Sequence, residues 1–207
     1  MVLVVSSLRL QLRLQSRSKT TKTIASLLSI LLYCKCMKIL AEISDANLGK
    51  GESEILGGNY ELRKSARAVL RDKNGHINLQ HIKRDSFHKL PGGGMETGES
   101  MKEALQREII EEAGCNCIIG DLIGVVIEYR NKYNLIQISY AYIADVTGDI
   151  GEPQFEQAEI DEQLTNYWLP AEEALKKMQT DQPEKYEGSF ILKREIAFLE
   201  EYLKMVK

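Results

Sequence analysis

The chain has 207 residues, of which 43% are hydrophobic and 28% are charged, and its formal net charge at pH 7 is −3. This length is sufficient for one well-buried domain and short for two. Residues 1–36 hold six basic residues and no acidic one, which leaves a net charge of −9 on residues 37–207. An acidic body of this kind argues against a basic nucleic-acid-binding surface, so we expect no nucleic-acid polymer as a partner.

The segment 1–36 differs in composition from the rest of the chain. It contains no Asp, Glu, Gly or Pro, and its longest mostly apolar run, Ile24–Cys34, is too short for a membrane span. An organellar presequence, a secretory signal and a translation start at Met37 all remain open. We favour a start-site artefact or a disordered basic leader. This predicts a cytoplasmic protein without membrane attachment, or an organellar one if residues 1–36 are a real presequence.

The pattern of residues 37–207 predicts a single domain that begins with strands. The runs Ser65–Leu70 and Ile77–Ile82 are rich in apolar residues, and an Asn-Gly dipeptide typical of tight hairpin turns lies between them. A short extended piece then leads to Leu90 and a glycine-rich loop. We therefore expect a β-hairpin followed by a loop with unusual backbone angles.

A helix is predicted at Met101–Ala113, because this segment contains no Gly or Pro and is rich in strong helix formers. Glu99 and Ser100 suit its N-terminal end, and Gly114 suits a left-handed C-terminal cap.

The remaining pattern predicts an antiparallel strand pair, a polar loop, a short strand and two helices. In that order, they are Cys117–Tyr129 with Leu135–Ala144, the loop 145–162, Tyr167–Leu169, Ala171–Met178, and a last helix capped by Ser189. Helices interleaved with antiparallel hairpins indicate an α+β fold with the sheet as the middle layer.

Three glutamates of the first predicted helix share one of its sides, because Glu108, Glu111 and Glu112 are related as i, i+3 and i+4. Crowded carboxylates repel one another unless a cation lies between them, and hard oxygen ligands suit Mg²⁺ or Mn²⁺. Arg107 lies one turn before Glu111 and can hold a carboxylate through its fork of donors. The alternative is a solvated acidic helix face. Ala104 falls on the same arc, which argues against a fully wet face.

The segment Gly93–Cys115, GGMETGESMKEALQREIIEEAGC, resembles the signature box of the Nudix hydrolases. In that box a glycine, a glutamate, an Arg-Glu pair, a Glu-Glu pair and a second glycine stand at fixed spacings. Every one of these positions matches here. Of the two aliphatic positions, Ile109 fits and Cys115 is a small apolar substitute. A match of this length is far more specific than a short glycine motif.

The resemblance implies an α/β/α sandwich with a mixed central sheet, and hydrolysis of a nucleoside diphosphate linked to another moiety. It implies Mg²⁺ as the cofactor, with Mn²⁺ as a substitute, and a nucleotide as the partner. The implied metal ligands are Glu108, Glu111 and Glu112. Arg107 would orient them, Glu99 would support the loop, and the implied substrate-binding residues are Gly92, Gly93 and Gly94.

A base for the attacking water is expected either in the box or in the polar loop, which offers Glu156, Glu159, Asp161 and Glu162. We choose Glu162 as the catalytic residue, because family members often place a glutamate shortly before a strand that contains tryptophan. The alternative is that the loop is merely soluble and mobile.

The substrate is chosen by elimination. The downstream pattern of NADH-type members is missing, and so is the proline that ADP-ribose enzymes carry soon after the box, since the next one is Pro153. This favours a nucleoside triphosphate or a modified dNTP, cleaved to the monophosphate and pyrophosphate. An ADP-ribose hydrolase, a dinucleoside-polyphosphate hydrolase and a non-catalytic nucleotide-sensing module remain alternatives. Tyr133 falls near the position where dinucleoside-polyphosphate members carry a tyrosine, but Tyr129, Tyr140 and Tyr142 favour a chance match, and strand aromatics are more often core. A homodimer is left open.

Overall fold

A seven-stranded mixed sheet forms the centre of the computed structural model, which describes residues 37–51 and 59–207. The strands are β1 (Ile39–Ser44), β2 (Glu61–Arg71), β3 (Ile77–Ile82), β4 (Phe87–Lys89), β5 (Asn116–Arg130), β6 (Leu135–Thr147) and β7 (Leu164–Leu169). The helices are α1 (Met101–Ala113), α2 (Gln157–Asp161), α3 (Ala171–Thr180) and α4 (Tyr186–Met205). Residues 37–207 group as one compact unit. The leader predicted at residues 1–36 lies outside the described residues.

The strand order is β1-β5-β6-β2-β3-β4, and β7 also pairs with β3. Two pairs, β1 with β5 and β2 with β6, are parallel, and the other pairs are antiparallel. In the parallel pair at the centre, Ser65 lies opposite Ser139, and their hydroxyl oxygens are 2.8 Å apart.

Helices cover both faces of this sheet. Leu105 and Ile109 of α1 pack with Ala66, Ala68 and Leu70 of β2 in one apolar cluster. The other face carries α3 and α4, whose buried residues share a larger cluster with Val69 of β2 and with Ile77 and Leu79 of β3. Successive residues of β2 therefore point to opposite layers, as the pleat of a strand requires. The predicted α+β class and the α/β/α sandwich with a mixed sheet are confirmed.

The caps of α1 follow the prediction. The hydroxyl of Ser100 accepts the N–H of Glu103, whose carboxylate accepts the N–H of Ser100, which is a reciprocal capping box. Gly114 ends the helix with a φ of +66°. None of the helices within residues 37–51 and 59–207 is both long and apolar enough to cross a membrane.

Three elements differ from the sequence predictions. The edge strand β1 was not predicted, because its first residues are partly exposed and it shows little alternation. The short helix α2 lies inside the predicted loop. The last helix begins at Tyr186, so the prediction that Ser189 caps it is wrong. Gly188 has a poor helix propensity, but a side chain there would collide with Pro183, so close packing explains the glycine inside the helix.

Candidate active site

The loop before α1 lies along β2 and brings its backbone close to the glutamates. The N–H of Ala66 donates to the carbonyl of Gly93 at 3.0 Å. Gly92 has a φ of +126°, and a Cβ there would overlap the carbonyl of Ala66. A Cβ on Gly93 would overlap the carboxylate of Glu108. Both positions therefore require glycine, the first for its backbone angle and the second for the space that the carboxylate fills.

Arg107 connects this loop to the glutamates of α1. Its Nε donates to Glu99 at 2.9 Å, and its Nη1 donates to Glu108 at 3.0 Å and to Glu111 at 3.1 Å. Its Nη2 donates to the carbonyl of Gly94 at 3.2 Å. The hydrogen bond to Glu99, with help from Glu108, raises the pKa of Arg107 above its ordinary value. The guanidinium thus connects two helix carboxylates to the loop.

Three carboxylates converge beside the glycine loop. The ligand oxygens of Glu108, Glu112 and Glu159 all lie within 4.8 Å of one another. Glu112 is only 1% exposed. One of its oxygens accepts a hydrogen bond from Nζ of Lys89 at 2.6 Å, and the other accepts a hydrogen bond from the N–H of Gly92 at 2.6 Å.

The segment that carries Glu159 is held against the end of α1 by backbone contacts. The N–H of Gly151 donates to the carbonyl of Gly114 at 2.9 Å, and the N–H of Gln154 donates to the carbonyl of Glu111 at 2.7 Å. Glu159 itself lies in the first turn of α2, where one of its oxygens accepts the N–H of Glu156 at 2.7 Å. A docked loop and a helix cap together place this carboxylate opposite α1.

Crowding and burial shift the protonation of this cluster. Burial, and then the charge of Glu112, raise the pKa of Glu108 above its ordinary value. Burial and the charge of Glu112 also raise the pKa of Glu159, to about 7. Ionisation of a further carboxylate in this cluster is therefore unfavourable when Lys89 and Arg107 supply the only nearby positive charges among the described residues.

The residues present fit a divalent cation. Three carboxylate oxygens at mutual distances below 4.8 Å can face one ion, and the raised pKa values indicate that positive charge is needed between them. Oxygen donors of this kind suit Mg²⁺ and Mn²⁺. The residues that could hold the ion are Glu108, Glu112 and Glu159.

Glu111, one of the three predicted metal ligands, lies beside this group and not in it. Its carboxylate accepts Nη1 of Arg107 and is 30% exposed. Because the same nitrogen also donates to Glu108, the two carboxylates remain neighbours at the edge of the cluster. Among the described residues, the structure brings Glu108 and Glu112 together with Glu159 instead of Glu111.

Glu162, the predicted base, is placed elsewhere. It follows the last residue of α2, and its carboxylate accepts Nη2 of Arg84 at 3.1 Å. Glu159 is the acidic residue of this segment that reaches the cluster. The sequence contained a signal for it, because Glu156 and Glu159 have the spacing of a capping box, which predicts a short helix with Glu159 in its first turn.

A cavity of about 370 Å³ adjoins the cluster through Lys89, which both lines the cavity and contacts Glu112. Its apolar wall consists of Ile82, Phe87 and Ile191. Most of its charged lining is already paired: Arg84 with Asp85 and Glu162, and Lys185 with Asp85. The cavity therefore combines an apolar wall with charged groups, and its Lys89 end adjoins the glutamates.

A NUDIX domain model matches residues 61–188, which include the glycine loop, α1 and the acidic segment. The chain belongs to the Nudix family. The box at Gly93–Cys115 that suggested this family lies within the match, so the resemblance is confirmed.

Known Nudix proteins resemble parts of this chain. Diphosphoinositol polyphosphate phosphohydrolase 2 from Homo sapiens is 33% identical over 94 residues, which is 45% of this chain and 48% of that protein. The same protein from Mus musculus is 33% identical over 94 residues, 49% of its length. The chain thus spans about half the length of these curated relatives.

Solved structures agree with the Nudix fold. A NUDIX hydrolase from Nitrosomonas europaea has a TM-score of 0.52 at 18% identity, covering 70% of this chain and 90% of that one. The solution structure of the E. coli ORF135 protein has a TM-score of 0.50 at 20% identity, covering 70% of this chain and 91% of that one. At this identity the likeness concerns the fold alone.

Proposed function

We propose that this Nudix protein is a metal-dependent pyrophosphohydrolase that cleaves a nucleoside triphosphate, or a modified dNTP, to the monophosphate and pyrophosphate. The observation that carries the proposal is the convergence of Glu108, Glu112 and Glu159 beside a cavity that can hold the rest of the substrate. The similarity to hydrolases of this family supports it.

Glu108 and Glu112 would hold the cation, and Glu111 remains a candidate ligand at the edge of the cluster. When bound, Mg²⁺ or Mn²⁺ would neutralise phosphate charge and make a bound water more acidic. Arg107 keeps the helix carboxylates in place through its donors to Glu108 and Glu111. Lys89, between Glu112 and the cavity, is positioned to meet the anionic end of a substrate.

Glu159 replaces Glu162 in this proposal as the base. It is half-buried, so it can meet a water molecule, whereas Glu112 is almost completely buried. The water oxygen would form a bond to the α-phosphorus while Glu159 takes the proton. The bond from that phosphorus to the bridging oxygen would break, and pyrophosphate would leave with the electron pair. Catalysis of this type depends mainly on positioning and on charge stabilisation.

The cavity supports a nucleotide as substrate. Ile82, Phe87 and Ile191 offer an apolar surface for a nucleoside, and Lys89 marks the end where phosphate would lie. A substrate that consists only of charged groups would gain no favourable apolar contact with this wall.

A diphosphoinositol polyphosphate is the second candidate, favoured by the similarity to diphosphoinositol polyphosphate phosphohydrolase 2. A ligand that carries many phosphates needs several cations that are free to contact it. Arg84, Lys185 and Lys89 of the cavity all contact carboxylates, whereas its apolar wall is available to a nucleoside, and this favours the nucleotide.

The decisive experiment is a hydrolysis panel with Mg²⁺, containing nucleoside triphosphates, oxidised dNTPs, ADP-ribose, a dinucleoside polyphosphate and a diphosphoinositol polyphosphate. The reaction is run in ¹⁸O-labelled water. We expect label in the nucleoside monophosphate and pyrophosphate as the co-product. Release of orthophosphate from the triphosphate, or activity confined to another member of the panel, would overturn the substrate assignment. Full activity in EDTA would overturn the metal-dependent mechanism.

A further inference from the structure

A network of charged side chains is buried between β2, β5 and α4. It consists of Arg67, Glu128, Arg130, Arg194 and Glu195, all 8% exposed or less. Nε of Arg67 donates to Oε1 of Glu195 at 3.2 Å, and Nε of Arg194 donates to the same oxygen at 3.0 Å. Arg194 and Arg130 also donate to Glu128, at 3.2 and 3.1 Å. We call these five residues the interior network.

The interior network carries an excess positive charge, because it contains three guanidinium groups and two carboxylates. A buried charge without a counter-ion is strongly unfavourable. The pKa of Arg67 is lowered from its ordinary value, mainly by burial and then by the charge of Arg194. The charges of Glu195, Glu112 and Glu108 oppose this shift. The excess charge is therefore closest to the candidate active site at Arg67. A cation on Glu108 and Glu112 would remove part of the negative charge that now offsets it.

Arg67 is the member of the interior network that lines the cavity. Its Nε is used by Glu195, and its Nη1 donates to the carbonyl of Ala66 at 2.8 Å. Within residues 37–51 and 59–207, Nη2 has no hydrogen-bond partner, so this group can donate to a ligand. Arg67 also follows Ala66, whose N–H holds the glycine loop at Gly93. Arg67 thus lines the cavity and directly follows a residue that is bonded to the glycine loop.

We propose that Arg67 is a catalytic residue that donates from Nη2 to a non-bridging phosphate oxygen of the substrate, and that Glu195 is the positioning residue that aims its guanidinium into the cavity. This rests on the proposed function, since the anion would be the phosphate chain held at the glutamates. Glu195 is suited to this task because α4 buries it completely. Nearly fixed donors stabilise developing negative charge without having to reorganise.

The first test replaces Arg67 by Gln and by Lys, with Arg71→Gln as the matched control. Arg71 lies on the same strand and pairs with Asp145 at 2.7 Å in a partly exposed position. We expect kcat/KM to fall about 100-fold in Arg67→Gln, the size found when one such donor is removed. Arg67→Lys should recover part of the loss, and Arg71→Gln should stay within about twofold of wild type. Unchanged kcat/KM in the folded Arg67→Gln protein would overturn the assignment.

Chemical rescue separates contact with the substrate from a structural role. In Arg67→Ala, added guanidinium ion should restore part of kcat in a saturable manner, and Arg71→Ala should show no such effect. Mn²⁺ binding, measured by calorimetry without substrate, should not weaken, because Arg67 acts on phosphate and not on the ion. An Arg67→Ala protein that folds, binds Mn²⁺ as wild type does and shows no rescue would contradict a direct contact.

The positioning role of Glu195 is tested with Glu195→Gln and with the double variant. If Glu195 acts through Arg67, Glu195→Gln should lower kcat/KM, and the Arg67→Gln/Glu195→Gln protein should be no slower than Arg67→Gln alone. Additive losses would mean that Glu195 does not act through Arg67. A Glu195→Gln protein of reduced stability but normal kcat/KM per folded molecule would assign Glu195 to packing only.

A separate binding measurement keeps this inference distinct from the proposed function. If wild type hydrolyses nothing in the substrate panel, the proposed function fails. Calorimetry with pyrophosphate in the presence of Mg²⁺ then still tests Arg67. Binding that weakens at least tenfold in Arg67→Gln and not in Arg71→Gln supports an anion contact at Arg67. Equal binding by both variants, or no binding by wild type, refutes it.

Discussion

Nζ of Lys89 lies 2.6 Å from Oε1 of Glu112, although only 11% of one side chain and 2% of the other are exposed. A buried carboxylate needs a nearby positive charge, and in the described part of the chain Lys89 supplies it. The same lysine lines the cavity, so one ion pair connects the candidate metal cluster to the place where we expect the substrate.

Removal of the Lys89 ammonium group should leave the buried carboxylate of Glu112 without its counter-ion. We expect Lys89→Gln to lower the free energy of unfolding of the metal-free protein by about 3 kcal/mol, because Glu112 would lose its counter-ion. Mg²⁺ should recover much of the loss, since it would supply positive charge to the same carboxylate. Urea unfolding with and without Mg²⁺ measures both effects. Lys38→Gln, which removes a mostly exposed partner of Glu201, is the control and should change stability by less than about 1 kcal/mol. Equal losses in the two variants would contradict this interpretation.

Substitution of Glu159 and of Glu162 should have different effects on kcat. Glu159→Gln should lower kcat about 100-fold or more, because its carboxylate reaches the cluster. Glu162→Gln should have little effect on kcat, because that carboxylate contacts Arg84 instead. Steady-state kinetics with Mg²⁺ and the best substrate of the panel decide between them. A large loss in Glu162→Gln with normal turnover in Glu159→Gln would restore the assignment made from the sequence.

The stability of the metal-free protein should depend on pH through Glu159. Its pKa is about 7 in the folded protein, against an ordinary value of 4.5, so the folded state binds more protons than the unfolded state between these values. Stability should therefore fall as pH rises from 4.5 to 7, and this contribution should level off above 7. Urea unfolding in EDTA across this range, compared with Glu159→Gln, measures it. The variant should lose this part of the pH dependence, and a profile identical to that of wild type would refute the assignment of the shift to Glu159.

Metal affinity should show the opposite trend. Deprotonation of Glu159 adds a negative charge beside the ion that Glu108 and Glu112 would hold, so Mn²⁺ affinity should rise with pH up to about 7 and then change little. Calorimetry at several pH values measures the affinity and, in buffers of different ionisation enthalpy, the protons released. Affinity that is independent of pH between 5.5 and 7.5, in a protein that stays folded, would show that Glu159 does not face the ion.

Gly93 should be essential because the carboxylate of Glu108 fills the space of its missing side chain. Gly93→Ala should displace Glu108 and weaken Mn²⁺ binding by at least tenfold, with loss of turnover. Gly120→Ala is the matched control, since its Cβ would meet Ile143 only at an ordinary distance of 3.4 Å. Circular dichroism should show that both variants are folded. Normal Mn²⁺ binding by Gly93→Ala would mean that Glu108 can occupy another productive position.

The residue pattern was sufficient to predict the hairpin of β2 and β3, the helix α1 with both its caps, and the long pair β5 and β6. These elements have local causes: alternation of apolar residues, an Asn-Gly turn, and a capping serine and glycine at the two ends of one helix. The family box has the same local character, because the i, i+3 and i+4 spacing alone places three glutamates on one side of α1.

The composition of the cluster depended on contacts between distant segments. Glu159 joins Glu108 and Glu112 because the loop before α2 is bonded to the end of α1, whereas Glu162 contacts Arg84. Arg67 and Glu195 are 128 positions apart, and only the packing of α4 on β2 brings them within 3.2 Å. Spacing along the chain determined which carboxylates a single helix presents. The tertiary structure decided which side chains from other segments meet them, because burial and ion pairing act through space and not along the sequence.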